Sequence, residues 1–185
     1  MKSKFYSLKI LLILIVVFIL QITIRGFTEL FILNSIALTD LQIWRFLTAI
    51  FLHGSLTHLL FNIFALFFFG LFLEKDVGSD KFLLIFISSG ILANLISVNF
   101  YEASLGASGA IYGVIGALVI IRPLMMVWTF GLIMPLFIAA FLWVTADILR
   151  TLGAFGPTNI GSIAHLSGIF IGLILGFVFR SSAKA

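Results

Sequence analysis

Six runs of mostly apolar residues, at about 8–24, 57–74, 81–99, 106–122, 126–148 and 160–180, leave this chain little means of folding in water. Each is close to the roughly 20 residues that an α-helix needs to cross the hydrocarbon core of a bilayer. With 62% hydrophobic and 10% charged residues, the chain lacks the polar surface that a soluble fold of 185 residues would show. Spans and short connections consume the whole length, which predicts one all-α polytopic membrane domain over 1–185 with no ordinary soluble domain beside it. Lys2 and Lys4 precede the first run as they would in a signal peptide. That run is too long, however, and Ile22 to Phe27 offers no small-x-small cleavage site, so it is read as a helix.

Charge placement orients the spans. With the N-terminus in the cytoplasm, Lys2, Lys4, Lys9, Lys75, Lys81, Arg122, Arg180 and Lys184 fall inside, against Arg25, Arg45 and Arg150 outside. That distribution follows the positive-inside rule and predicts that both termini are cytoplasmic. The net charge of +4 is then a matter of topology, and no nucleic-acid partner is expected. The chain has no cysteine, which excludes disulfides, thiol nucleophiles and thiolate metal sites.

The longest connection, Arg25 to Leu56, carries apolar stretches such as Phe31-Ile32-Leu33 and Ile43-Trp44. It reads as an interfacial segment with Trp44 at headgroup depth and Arg45 reaching phosphates or backbone carbonyls, or else as an ordinary amphipathic surface loop. Helix three holds Ser88, Ser89, Gly90 and Asn94, which suit close helix packing. Helix four carries Gly109, Gly113 and Gly116, and helix six Gly168, Gly172 and Gly176. The two glycine faces can touch, and contact between them would bring Ser108 and His165 together at one end. The loop joining helices five and six is read over 149–159, with Gly153, Gly156 and Pro157.

Ser108 and His165 are the residues best placed for chemistry. Ser108 sits between glycines at the start of a helix, in Gly106-Ala107-Ser108-Gly109, and His165 opens another glycine-spaced helix. A serine nucleophile needs an imidazole to take its proton, an electrophile's oxyanion needs donors, and water must reach the site. Ser108 is the candidate nucleophile and His165 the candidate base. His58 and Asn62, four residues apart on one helix face, are candidate oxyanion donors alongside the free amides of the helix start. Tyr112, one turn after Ser108, can pack against the imidazole and fix it without a third catalytic residue. Small residues in a helix face also serve packing, and polar groups in spans mark permeation paths in transporters. What favours an intramembrane serine protease is that Ser108, His165, His58 and Asn62 share the predicted outer end of their helices. An aspartyl mechanism fails because the spans contain only Asp147, near a helix end. The His53 to His58 spacing does not match a zinc-protease motif, although three histidines could still gather a metal; none is expected.

Taken together, the pieces resemble the rhomboid family of intramembrane serine proteases. They are Trp44-Arg45, the run His53-Gly54-Ser55-Leu56-Thr57-His58-Leu59-Leu60-Phe61-Asn62, Glu74, Gly106-Ala107-Ser108-Gly109 with Tyr112, and His165-Leu166-Ser167-Gly168 with Gly172. The resemblance implies a six-transmembrane-helix bundle of the minimal prokaryotic type, without a seventh helix or sizeable cytoplasmic domain, in a cell membrane. It implies a Ser108–His165 dyad rather than a triad, supported by Gly106, Gly109, Tyr112 and His53, and an oxyanion hole from the Ser108 amide, His58 and Asn62. It further implies a water-filled cavity open to the outside, a first loop lying partly in the membrane, and gating by helix five and the loop after it. Implied partners are single-pass transmembrane substrates and the lipid bilayer; no cofactor is implied. A pseudoprotease that binds such clients without cutting them is the main competing class, and it would be expected to lack the serine or the histidine.

Overall fold

The computed structural model describes residues 4–156 and 160–183. Six principal helices run along the chain: α1 (Tyr6–Thr23), α2 (Leu56–Val77), α3 (Ser79–Ser97), α4 (Ser108–Ile121), α5 (Leu136–Thr151) and α6 (Ser162–Phe179). Among the described residues, α1, α2, α3 and α6 are long and apolar enough to cross a membrane, and α4 is a shorter apolar helix. The result is a polytopic helical membrane bundle whose outward faces are lined by exposed side chains such as Leu12, Phe61, Phe64, Phe141 and Phe170. Pro157, placed from sequence in the loop between helices five and six, lies outside the described residues, as do Lys2 and Lys184.

The centre of the bundle is the α4–α6 contact. A Cβ on Gly168 would strike the Gly109 backbone, one on Gly172 the Gly113 carbonyl, and one on Gly176 the Ala117 backbone. Residue numbers rise together along both helices, so α4 and α6 are parallel and close enough to require glycine at each crossing. On the other side of α4, α3 fits its own small residues: a Cβ on Gly113 would meet the Ser89 side chain, and one on Gly90 would lie 2.6 Å from Ile50 Cδ1 and 3.1 Å from the Ala110 Cβ.

One predicted span is corrected. The run at 126–148 does not begin as a helix: Met126–Thr129 (β3) and Leu132–Pro135 (β4) pair as an antiparallel hairpin, and α5 starts only at Leu136. Thr129 faces Leu132 across the two-residue turn Phe130-Gly131, whose φ values of 53° and 78° are both positive, as a tight hairpin turn of matching twist requires. Pro135 explains why no helix runs through this stretch, since an interior proline lacks the amide for the helical ladder and clashes with the preceding turn. It stands just outside α5 instead, at φ −60° and ψ 143°.

The segment before α2 is compact rather than loose. Leu33, Ala37, Phe46 and Ala49 form a small buried cluster of their own. Leu33–Asn34 (β1) pairs with Ala103–Ser104 (β2) from the connection between α3 and α4. Of the two partners expected for Arg45, the structure selects carbonyls: the buried guanidinium donates to Glu29 O (2.8 Å), Ile32 O (2.6 Å) and Gln42 Oε1 (2.6 Å). Asn94 of α3 donates to the Phe46 carbonyl at 2.9 Å, which fastens this segment to the bundle.

At the opposite end, two buried carboxylates tie helices together. Glu74 accepts from the Tyr6 and Ser7 amides (2.8 Å each), Ser7 Oγ (2.7 Å) and Ser79 Oγ (2.6 Å). Asp76 receives a bidentate pair from Arg122, at 2.6 and 2.7 Å.

Candidate active site

Ser108 is the first residue of α4, and the turn ahead of it is shaped by glycine. Gly106 has φ +122°, and a Cβ there would lie 2.6 Å from Cε1 and 2.9 Å from Nε2 of His58. Backbone conformation and the closeness of the imidazole both demand glycine, so Gly106 presses the serine-bearing turn against His58. Its amide donates to Ala49 O at 2.9 Å, anchoring the turn to the first loop. The first helical bond of α4 runs from the Ile111 amide to Ala107 O, at 2.9 Å. The amides of Ser108, Gly109 and Ala110 therefore precede the hydrogen-bonded ladder, as at any helix start.

His58 and Asn62 enter on α2. Ser55, with extended backbone, caps this helix by accepting from the His58 amide at 3.1 Å. Asn62 is buried, and its Nδ2 donates to the His58 carbonyl at 2.9 Å, so one amide hydrogen is held within the helix. His53 is buried with its ring edge-on to His58, centroids 5.0 Å apart, while Gln21 brackets its backbone through bonds to His53 N (2.9 Å) and His53 O (3.2 Å). Among the described residues, no group of three acidic, histidine or cysteine side chains is gathered as metal ligands would be.

His165 belongs to the first turn of α6. The Tyr112 ring stacks on it, with centroids 4.2 Å apart and planes within 7°. The glycine contacts between α4 and α6 set this stacking: Gly109 and Gly168 bring the two backbones together within one turn of Ser108, Tyr112 and His165. Ser108 and Tyr112 lie four residues apart on one face of α4. Among the described residues, no direct hydrogen bond joins Ser108 to His165; such bonds are often long without substrate and tighten when it binds.

Sequence reasoning missed one residue here. Asp147 of α5 is fully buried, and its Oδ2 stands 3.1 Å from His165 Nδ1. Its Oδ1 accepts from Arg150 Nη1 at 2.9 Å and Ser162 Oγ at 3.0 Å. The imidazole is thus held on its face by Tyr112 and at its edge by a carboxylate, where the sequence suggested the tyrosine alone. A signal existed, since an ionisable group inside a span is costly and marks function by default.

A Rhomboid domain model matches residues 40–182. The chain is 36% identical over 140 residues to RHOMBOID-like protein 1 of Arabidopsis thaliana, covering 75% of this chain and 35% of that protein. It is 34% identical over 141 residues to putative rhomboid protease YdcA of Bacillus subtilis, covering 73% and 66%. To rhomboid protease GlpG of Salmonella paratyphi A it is 30% identical over 153 residues, covering 77% and 51%. The chain thus spans about one third to two thirds of the length of these curated relatives. Carrying the family domain over most of its length, in a helical membrane bundle, this chain belongs to the rhomboid family.

Proposed function

We propose that this protein is an intramembrane serine endopeptidase that cuts transmembrane substrates near the outer membrane face. The observation that carries the reading is the stacking of His165 on Tyr112, one helical turn from Ser108 at the start of α4. Support comes from relatives named rhomboid proteases.

Ser108 Oγ attacks the scissile carbonyl while His165 Nε2 takes its proton, and the same proton passes to the departing amine. The oxyanion is met by amides at the start of α4, by the His58 imidazole that the Gly106 turn holds close, and by the remaining amide hydrogen of Asn62. Water then enters and hydrolyses the acyl-enzyme. A helical substrate hides its carbonyls in its own ladder, so the preferred substrate is a single-pass helix that unwinds readily near its outer end. The domain spans 1–185 as one unit in the cell membrane, with both termini cytoplasmic, consistent with the excess of basic residues on that side.

A fluorophosphonate should label the wild-type protein in membranes, and labelling should vanish in Ser108→Ala. A folded wild-type protein that neither labels nor cleaves a model transmembrane substrate would overturn the reading in favour of a client-binding pseudoprotease.

A further inference from the structure

We propose that Asp147 is a positioning residue for His165, so that the imidazole serving Ser108 is oriented by a third side chain. This rests on the reading of Ser108 as nucleophile and His165 as base.

A carboxylate buried in a membrane bundle is unfavourable unless it is paired, and Asp147 has no exposed surface. Its two oxygens are used differently. Oδ1 is saturated by Arg150 Nη1 and Ser162 Oγ, an arrangement that balances the charge and ties α5 to the first turn of α6. Oδ2 is aimed at His165 Nδ1, 3.1 Å away. If Asp147 only fastened α5 to α6, the bonds through Oδ1 would suffice.

A carboxylate facing Nδ1 decides which nitrogen carries the proton. Ionised Asp147 can only accept, so the neutral imidazole places its hydrogen on Nδ1 and leaves the Nε2 lone pair exposed. That tautomer is the one able to take the Ser108 proton. When the O–C bond to substrate forms, the hydroxyl proton moves to Nε2 and the imidazolium forms beside Asp147, which stays ionised. When the C–N bond breaks, the same proton leaves Nε2 for the amine. Nothing is oxidised or reduced, and Asp147 gives up no proton.

The surrounding donors make the substitution Asp147→Asn unusually informative. Arg150 can only donate, so the carboxamide oxygen introduced by this substitution must stay on the Arg150 side, and its NH₂ group then faces His165 Nδ1. The ring is forced to carry its proton on Nε2, where it cannot act as a base. Shape and volume are nearly unchanged.

The test is ¹⁵N-histidine NMR of the full chain in detergent micelles, read together with fluorophosphonate labelling rates and cleavage kinetics. The chain has three histidines, and His165 is assigned by the signal lost in His165→Ala. The wild-type protein should show His165 protonated at Nδ1 when neutral. Asp147→Asn should shift that proton to Nε2 and lower kcat by up to about 10⁴-fold with KM little changed, by comparison with other serine proteases. Asp147→Glu should recover part of the rate and the original tautomer. A purely structural Asp147 would lower thermal stability in Asp147→Asn yet leave the tautomer and the rate per folded molecule unchanged, and that result overturns the proposal. If Asp147→Asn does not fold, the wild-type spectrum decides alone: His165 protonated at Nε2 refutes the assignment. A wild-type protein that never labels at Ser108 refutes the underlying protease reading instead, while the tautomer still reports whether Asp147 governs the ring.

Discussion

Tyr112 lies flat on His165, its ring centroid 4.2 Å from that of the imidazole. A stacked aromatic pair is worth about 0.5–1.5 kcal/mol beyond area burial, and in the proposed mechanism it orients an imidazole that must meet Ser108 within a fraction of an ångström. Tyr112→Phe should keep most of the activity, because the face is preserved. Tyr112→Ala should lower kcat by about 10-fold or more in a folded protein. Equal activity in the two variants, measured on one transmembrane substrate, would show that the stack does not position the base.

In the proposed mechanism nucleophile and base act as one unit, so Ser108→Ala, His165→Ala and the double variant should be almost equally inactive. Cleavage by each at saturating enzyme is the measurement, and a double variant much worse than either single would argue for independent roles.

Asn62→Ala should slow turnover by less than the roughly 10²- to 10³-fold typical of a lost oxyanion donor. One of its amide hydrogens already bonds the His58 carbonyl, and in the proposed mechanism the amides at the start of α4 remain to serve the same oxygen. His58→Ala should be worse, because its ring also fills the space against Gly106 and His53. Rates of acyl-enzyme formation compare the two, and a larger defect in Asn62→Ala would reverse their order of importance.

Gly172→Val should destabilise the bundle by about 1–3 kcal/mol or prevent assembly, since even a methyl group would collide with the Gly113 carbonyl. Backbone cannot step aside as a flexible side chain does. Thermal unfolding in micelles tests this, with Ile174→Val, at an exposed position on the same helix, as the mild control.

Trp143 joins three elements: its indole donates to Thr129 Oγ1 at 3.2 Å and its ring meets Phe69 of α2 edge-on at 6.1 Å. If α5 gates lateral entry, Trp143→Ala loosens it from α2 and should raise turnover or leave it unchanged, and exposed Phe141→Ala should have a smaller effect. Loss of activity in a well-folded Trp143→Ala would mark the position as structural.

The glycine seam is legible in the sequence because spacing alone puts 109, 113 and 116 on one face and 168, 172 and 176 on another, and a bilayer rewards close approach of such faces. The first half of the fifth apolar run is not, since Met126 to Pro135 is apolar nearly throughout and hydropathy does not distinguish strand from helix there. Pro135 and the Phe130-Gly131 turn are the local clues. Arg45 can be read toward carbonyls or phosphates, and only the folded loop chooses. Asp147 shows the limit most clearly. In the sequence it stands out only as a carboxylate without a second one to face. Its partner lies 18 residues further along, on the next helix, and only the packing of α5 on α6 reveals which ring nitrogen it meets.

The Glu74 hub gives the molecule a birth order. Tyr6 and Ser7 find their acceptor only when residue 74 has been made, and Ser79, which shares that carboxylate, comes five residues later. At about 5–20 residues per second of translation, α1 waits roughly 4–14 s in the membrane before its buried end can lock. α1 is therefore made well before the side chain that fixes its Tyr6 end. Until α2 brings Glu74 back to the side where the chain began, the Tyr6 end of α1 lacks the carboxylate that fixes it, while its far end is already within reach of the His53 backbone through Gln21.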